Sequence, residues 1–273
     1  SAFAMDLVPR ISRAQRMDAL SSQANVAGYK AVLLAACELG RYFPLLMTAA
    51  GTVRAARVLV FGAGVAGLQA IATARRLGAV VEATDIRTAV KEQVESLGAR
   101  FVAVEAAGGG EGTGGYAQEA GGEYQRRQAE ALARHVAEAD VVITTAQVPG
   151  RRAPRLVSAA QVRSMRPGSV IVDLAADGGG NCELTQAGQT VAVDGVRILG
   201  PVNLAASVPV HASELYARNV LELLGLIAPA PEEGAEVKVV LDFEDEIVAG
   251  SCVARDGEIV HPGAQAAVAA AGA

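Results

Sequence analysis

Six consecutive residues, Gly62-Ala63-Gly64-Val65-Ala66-Gly67, carry the most specific chemical signal in the chain. They match G-x-G-x-x-G, a spacing that brings backbone N–H groups to a pyrophosphate. The first glycine permits a tight turn, the second lets the main chain approach the phosphates, and the third lets a helix lie close to a strand. A helix beginning there turns unpaired N–H groups and the positive end of its dipole toward the anion. Asp85 ends the next aliphatic run, where a carboxylate accepts hydrogen bonds from an adenosine ribose. That favours NAD over NADP, whose 2′-phosphate a carboxylate repels. Ile86 and Arg87 follow directly, and Arg87 pulls the other way, because a basic side chain there tolerates a 2′-phosphate. A tight turn without a ligand is the plain alternative.

A second constellation spans Arg10 to Gln23 (RISRAQRMDALSSQ). Gln15, Asp18 and Ser22 stand at i, i+3 and i+7, which predicts one shared helix face with Ser21 beside it. On spacing alone, an ordinary solvated helix start with capping residues is the better explanation. Asp173 ends another aliphatic run, a position where ligands gather but where a carboxylate also caps the next loop. His135, His211 and His261 are scattered without metal-ligand spacing and read as structural or exposed, so no metal is expected. Glu244-Asp245-Glu246 reads as a solvated turn.

The elements that must hold these residues alternate. Ala56–Phe61 (ARVLVF) reads as a buried strand, Gly64 to Leu77 as a helix and Ala79–Thr84 as a second strand, together a βαβ unit. Upstream, residues 1–10 read as a linker, and Ser12 to Gly40 as one helix stopped by Gly40. Downstream, helical stretches at 88–97, 123–139 and 158–165 alternate with strands at 101–104, 140–145 and 169–174. Residues 190–199 predict a hairpin about Asp194-Gly195, and 211–226 a helix. A Pro/Glu-rich linker at 228–236 precedes short strand candidates at 237–241, 247–254 and 258–261, a small β element apart from the parallel sheet. The alanine-rich end from 264 is expected to fray. The expected class is α/β, a Rossmann-type doubly wound parallel sheet with a partial second lobe. Its expected division is a linker and helix start in 1–20, the nucleotide-binding domain in 21–210, and a C-terminal helix, linker and small β element in 211–273.

Composition narrows the classes. Hydrophobic residues make up 51% of the 273, enough for a large core. A net charge of −5 with dispersed Arg and Lys argues against nucleic acid as a partner. The three cysteines, Cys37, Cys182 and Cys252, are distant and odd in number, so neither a disulfide framework nor a zinc site is expected. Glycines and Gln69 interrupt the most apolar stretch, Val58 to Ala74, before it reaches the length of a membrane span. No secretory signal is expected in the first ten residues, and the chain begins at Ser1, as a fragment would.

Longer runs then resemble one family. RAQRMDALSSQANVAGYKAV, LLMTAAGTV, VLVFGAGVAGLQAIATARRLGAVVEATD, KEQVESLGARF, GGYAQE, VVITTAQVPGRRAPRLV, MRPGSVIVDLA, GGN and LYARNVLELL are similar to α subunits (domain I) of proton-translocating NAD(P) transhydrogenases. The resemblance covers nearly all of residues 5–225 and extends less fully to GSCVARDGEIVHP. Alanine dehydrogenases share the fold but lack the RAQxMDxLSSQ signature. The resemblance implies that Arg10 engages the nicotinamide amide and pyrophosphate side and that Gln15 lies between two nucleotides. It implies that Asp18 and Ser21 fix the carboxamide, and that Tyr116, after Gly115, belongs to a loop closing on nucleotide. The glycine-rich run 106–115 agrees, being poor in groups that pack firmly. Gln128 and Thr144-Thr145-Ala146 match family positions lining the cofactor. Ile11, Ser12, Arg16, Met17, Val65, Ile86 and Gln147 complete the candidate contacts.

The family's chemistry moves a hydride between NAD(H) on this component and NADP(H) on a partner domain, coupled to proton passage in a membrane partner. Such a step needs orientation and closeness, not a triad or a metal. Implied with it are a homodimer, a cytoplasmic place peripheral to the inner membrane through partner subunits, and little activity alone. Three departures stand out. A further N-terminal segment that builds most of the family's second lobe is expected and absent. Gly200–Ser207 keeps Asn203 but lacks the His and Arg of the family's GH-x-N-x-PSR segment. Gln147 stands where an apolar residue is usual. An alanine-dehydrogenase-like oxidoreductase and a truncated, non-catalytic NAD-binding module are the alternatives.

Overall fold

The computed structural model describes residues 1–104, 122–147, 152–229, 236 and 238–271. In chain order its elements are β1 (Ala2–Phe3), α1 (Ala19–Glu38), β2 (Leu46–Thr48), β3 (Gly51–Val53), β4 (Arg57–Phe61), α2 (Val65–Arg76) and β5 (Val80–Thr84). Then follow α3 (Lys91–Ser96), β6 (Arg100–Phe101), α4 (Gly122–Glu138), β7 (Val141–Thr144), α5 (Ala159–Ser164) and β8 (Val170–Asp173). The hairpin β9 (Thr190–Val193) and β10 (Val196–Leu199) leads to α6 (Pro209–Ile227), α7 (Glu246–Ser251), β11 (Cys252–Arg255), β12 (Glu258–Ile259) and α8 (Pro262–Ala271). Two compact units result: Ala24–Val208, and Ser1–Gln23 together with Pro209–Ala273.

The larger unit is built on a seven-stranded sheet in the order β6-β5-β4-β7-β8-β10-β9. All are parallel except β9, which returns antiparallel beside β10. Numbering the six parallel strands by sequence gives 3-2-1-4-5-6, the dinucleotide-binding order. The central strands β4, β7 and β8 are near-continuous apolar runs because both faces are covered. On one face Val58, Val60, Val81, Ala83 and Ile143 pack with Val32 and Ala35 of α1 and Ala70 and Ile71 of α2. On the other, Leu59, Phe61, Val142, Ile171 and Ile198 pack with Leu132 and Val136 of α4 and Val162 of α5. A β-carbon on Gly28 would collide with the Ala66 carbonyl, so this glycine is what lets α1 lie against the start of α2.

Buried polar groups tie the sheet's ends. At the entry edge the Asp140 carboxylate accepts from the Arg57 N–H (2.9 Å) and from Arg41 (3.2 Å), with Arg166 at 3.6 Å. His135 Nδ1 of α4 lies 2.7 Å from Glu82 Oε2 of β5, a structural pairing. Asp194 (φ 49°) and Gly195 (φ 80°) form the two-residue hairpin turn between β9 and β10, a conformation suited to Asp-Gly.

The smaller unit departs from expectation at three places. Residues 1–10 are not a plain linker: β1 pairs with β11 in a three-stranded sheet completed by β12, and Val8 is buried. The helix expected from Ser12 begins instead at Ala19, after a 3-10 turn over Ser12–Met17. Asp18 ends that turn and caps α1 with its side chain, a local bond that outcompetes helix continuation. In the tail, 238–241 forms no strand, Glu246–Ser251 is helical before β11, and Pro262–Ala271 is a helix where fraying was expected. Asp245 explains the second, since its side chain accepts from the Ile247 N–H and starts α7.

Candidate functional site

In the larger unit the register decides the geometry. Phe61 pairs with Thr84 on one side and with Thr144 on the other, so Gly62, Asp85 and Thr145 leave the sheet together at its carboxyl edge. That edge, between β4 and β7, is the point where strand order reverses, the usual place for a ligand crevice. Gly62 has φ 95°, which favours glycine, and a β-carbon there would sit 2.5 Å from Thr145 Oγ1. A β-carbon on Gly67 would overlap the Gly62 carbonyl, so the third glycine fixes how closely α2 docks. Gly64 is different. Its φ of −77° suits any residue, and only Arg87 Nη2, 4.0 Å away, stands near where a β-carbon would be. No contact among the described residues requires its lack of a side chain. No side chain caps α2 at Gly64, which leaves first-turn N–H groups for an anion. The residues present therefore fit a pyrophosphate, and the rest of the rim is compatible: Val65 is exposed and Ile86 half-buried.

Asp85 points at this turn. Its Oδ2 accepts from the Ala63 N–H at 2.7 Å, and its Oδ1 from the Arg87 N–H at 2.8 Å. The Arg87 guanidinium folds back on the same carboxylate, Nε to Oδ1 at 3.1 Å and Nη2 to Oδ2 at 3.0 Å. The neighbouring strand end is pinned from below. Thr145 Oγ1 donates to the Phe61 carbonyl (3.1 Å), linking β7 to the glycine turn. Asn181, fully buried, accepts from the Ala146 N–H and donates to the carbonyls of Ala146 and Pro154. Gln147 is exposed and donates to the Leu174 carbonyl at 2.6 Å.

Asp173 resolves toward structure. Wholly buried, it accepts from Thr144 Oγ1, Thr185 Oγ1 and the N–H groups of Ala175 and Cys182. Four donors leave it no capacity for a ligand. Burial pushes the Cys182 thiol up, so it is inert packing. Asn203 sits at φ 49° and precedes a short 3-10 turn.

In the smaller unit the signature residues part company. Arg10, Asp18 and Ser21 gather: Ser21 Oγ donates to Asp18 Oδ2 at 2.6 Å, and Arg10 Nε stands 3.9 Å from the same oxygen. Ser12, Gln15 and Arg16 are exposed on the 3-10 turn and Ile11 is half-buried. Gln15 and Asp18 therefore share no α-helical face with Ser22, and the spacing argument fails because the helix starts after both. Met17 is buried with Val8, Ala14, Leu223 and Ile247 in the core of this unit. Gly115 and Tyr116 lie outside the described residues, and Gln128 lies on α4 with its side chain outside them.

Sequence reasoning missed Asn219, Asn181 and Arg13. Asn219 of α6 accepts from Ser22 Oγ (2.7 Å) and donates to the Arg16 carbonyl (2.7 Å), holding the signature's turn. Arg13 makes a two-bond pair with Asp245, at 2.7 and 2.8 Å. The Arg13 guanidinium holds the Asp245 carboxyl below the usual carboxylate value, so this acid, read as a solvated turn, is a tether. No local pattern marks such contacts, since their partners are distant in sequence.

The profile of the family described as "Alanine dehydrogenase/PNT, C-terminal domain" matches residues 31–262. An NAD(P) transhydrogenase α subunit protein of Rhodospirillum rubrum is 55% identical over 265 residues, 96% of this chain and 68% of that one. The transhydrogenase structure from Sinorhizobium meliloti superposes with a TM-score of 0.83 at 53% identity, over 94% of this chain and 68% of that one. An L-alanine dehydrogenase structure follows at TM-score 0.75 and 27% identity, over 98% of this chain and 68% of that one. With its strand order, glycine turn and signature in place, the chain belongs to the alanine dehydrogenase/PNT family, among the NAD(P) transhydrogenase α subunits.

Proposed function

We propose that this chain binds NAD(H) at the Gly62–Gly67 turn and acts as the NAD-side component in hydride exchange with NADP(H) held by a partner subunit. One observation carries this: Gly62, Gly64, Asp85 and the uncapped start of α2 meet at the reversal point of the parallel sheet. The family relationship supports the same reading.

When bound, the nicotinamide supplies the hydride acceptor or donor carbon. The chain's work is binding and orientation. Backbone N–H groups at the start of α2 take the pyrophosphate, and Asp85 takes the adenosine ribose. Arg10, Asp18 and Ser21, gathered about Asp18 Oδ2, supply polar groups for a carboxamide. Gln15, exposed on its turn, is available to a second nucleotide. Gln147 keeps the β7 strand end tied to residue 174, which accommodates the departure from an apolar residue without an unsatisfied amide.

Among the described residues no helix is long and apolar enough to cross a membrane. We assign proton passage to a membrane partner, with this chain peripheral to the inner membrane on the cytoplasmic side and paired with a second copy. Titration with NADH and NADPH, followed by addition of a family NADP(H)-binding subunit, tests the proposal. NADH should bind in preference, and hydride exchange should appear only with the partner. Normal NADH binding without exchange would leave a non-catalytic module. NADH oxidation dependent on pyruvate and ammonium by the chain alone would move it to the alanine-dehydrogenase side.

A further inference from the structure

Asp85 is expected to select NAD(H) through its negative charge, yet in this structure that charge is covered. Each carboxylate oxygen accepts two bonds: Oδ1 from the Arg87 N–H and Nε, Oδ2 from the Ala63 N–H and Arg87 Nη2. A carboxylate offers about four acceptor sites, so all are used. The pair is sheltered, with side-chain exposures of 5% for Asp85 and 15% for Arg87. Two of the four bonds come from backbone and fix the carboxylate at the turn. The other two come from the Arg87 side chain.

A ribose diol therefore reaches Asp85 only by exchanging with the Arg87 guanidinium. The same guanidinium stands over the pyrophosphate approach, since Nη2 is the group nearest the Gly64 β-position. Displaced from Asp85, it remains within two residues of the carboxylate that receives the ribose. A planar guanidinium with paired donors matches a phosphate as well as it matches a carboxylate.

Resting on the NAD(H)-binding reading above, we infer that Arg87 is a specificity-determining residue. It is a latch that competes with the ribose for Asp85 and, once displaced, a receptor for a 2′-phosphate. Asp85 then has two tasks, holding the ribose of NAD(H) and keeping Arg87 from serving NADP(H). The balance between two nucleotides belongs to the pair, not to the acid alone.

The test uses the full chain titrated with NADH and NADPH, as wild type, R87Q, D85S and D85S/R87Q. Serine at position 85 retains an oxygen for the Ala63 N–H. Removing the latch should tighten NADH binding in R87Q by roughly threefold to tenfold, the gain expected when a competing conformation is abolished. D85S should bind NADPH about tenfold more tightly than D85S/R87Q, a difference of one charge-assisted bidentate contact. Should R87Q lose its cooperative melt, R87K replaces it: the charge stays, the planar fork goes, and NADH should tighten by a smaller factor. R87Q binding NADH as wild type does, or more weakly, overturns the latch. Equal NADPH affinity in D85S and D85S/R87Q overturns the receptor. A cooperatively melting wild type that binds neither nucleotide sinks the NAD(H)-binding reading itself, a result separate from either of these.

Discussion

The glycine turn at Gly62–Gly67 and the signature at Arg10–Ser22 are both rich in candidate contacts, but they are built in opposite ways. The turn is held by main-chain geometry: a positive φ at Gly62, close docking at Gly67 and strand register that delivers Asp85 and Thr145 beside it. The signature is held by side chains reaching across sequence, Asn219 to Arg16 and Ser22, Arg13 to Asp245, with Asp18 capping the helix that follows. A site made of backbone tolerates almost no added atoms. One made of side-chain tethers loses strength in separable steps.

The sharpest break comes from Gly67→Ala. Its new methyl group meets the Gly62 carbonyl, so α2 must shift. Chemical denaturation should show a loss of ~3 kcal/mol, and NADH titration should show no binding. Retained binding in a stable variant would refute the close-docking account. Next, Asn219→Ala strips the signature's hook from α6 and leaves the Arg16 carbonyl without its bond. It should cost about 2 kcal/mol by denaturant midpoint while leaving the glycine turn intact, so NADH affinity should fall less than in Gly67→Ala.

Removing the cap with Asp18→Ala should cost about 1 kcal/mol. It should also slow hydride exchange with the partner subunit more than it weakens NADH binding, because Ser21 and Arg10 lose the oxygen they share. Equal effects on both would assign Asp18 to helix capping only. The smallest effect concerns Asp245. Its folded carboxyl lies below the usual value, because Arg13 donates to it. The tether's contribution is therefore present above the ordinary carboxylate pKa and fades as pH falls through the lowered one. Arg13 is half exposed, so solvent screens the pair and the change is slight. Comparing melting temperature against pH for wild type and Arg13→Gln should show the curves converging in acid; parallel curves would count against the pairing.

The turn was legible residue by residue. Three glycines, an aliphatic strand before them and an acid after the next strand are local signals, and each reflects a steric or dipolar need met within one βαβ unit. Asp173 was ambiguous for a local reason, since a strand-end acid either faces a ligand or caps a loop. Only its four donors, some of them from residues 175–185, decide. The helix start was misplaced because nothing in Ser12–Met17 forbids a helix, whereas a single side-chain bond at Asp18 sets the start at Ala19.

By itself, the sequence determined what depends on near neighbours: the alternating α/β pattern, the Asp-Gly hairpin, the glycine turn and the family. Backbone sterics and hydrophobic period act over a few residues, and so a linear reading captures them. The tertiary structure alone decided which polar groups are consumed and which remain for chemistry. Thr144 fills an acceptor site of Asp173 from 29 positions away, and Arg13 reaches Asp245 across 232 positions. A hydrogen bond is a short-range contact between atoms, and the chain's path through space, not its order, sets which atoms come within reach.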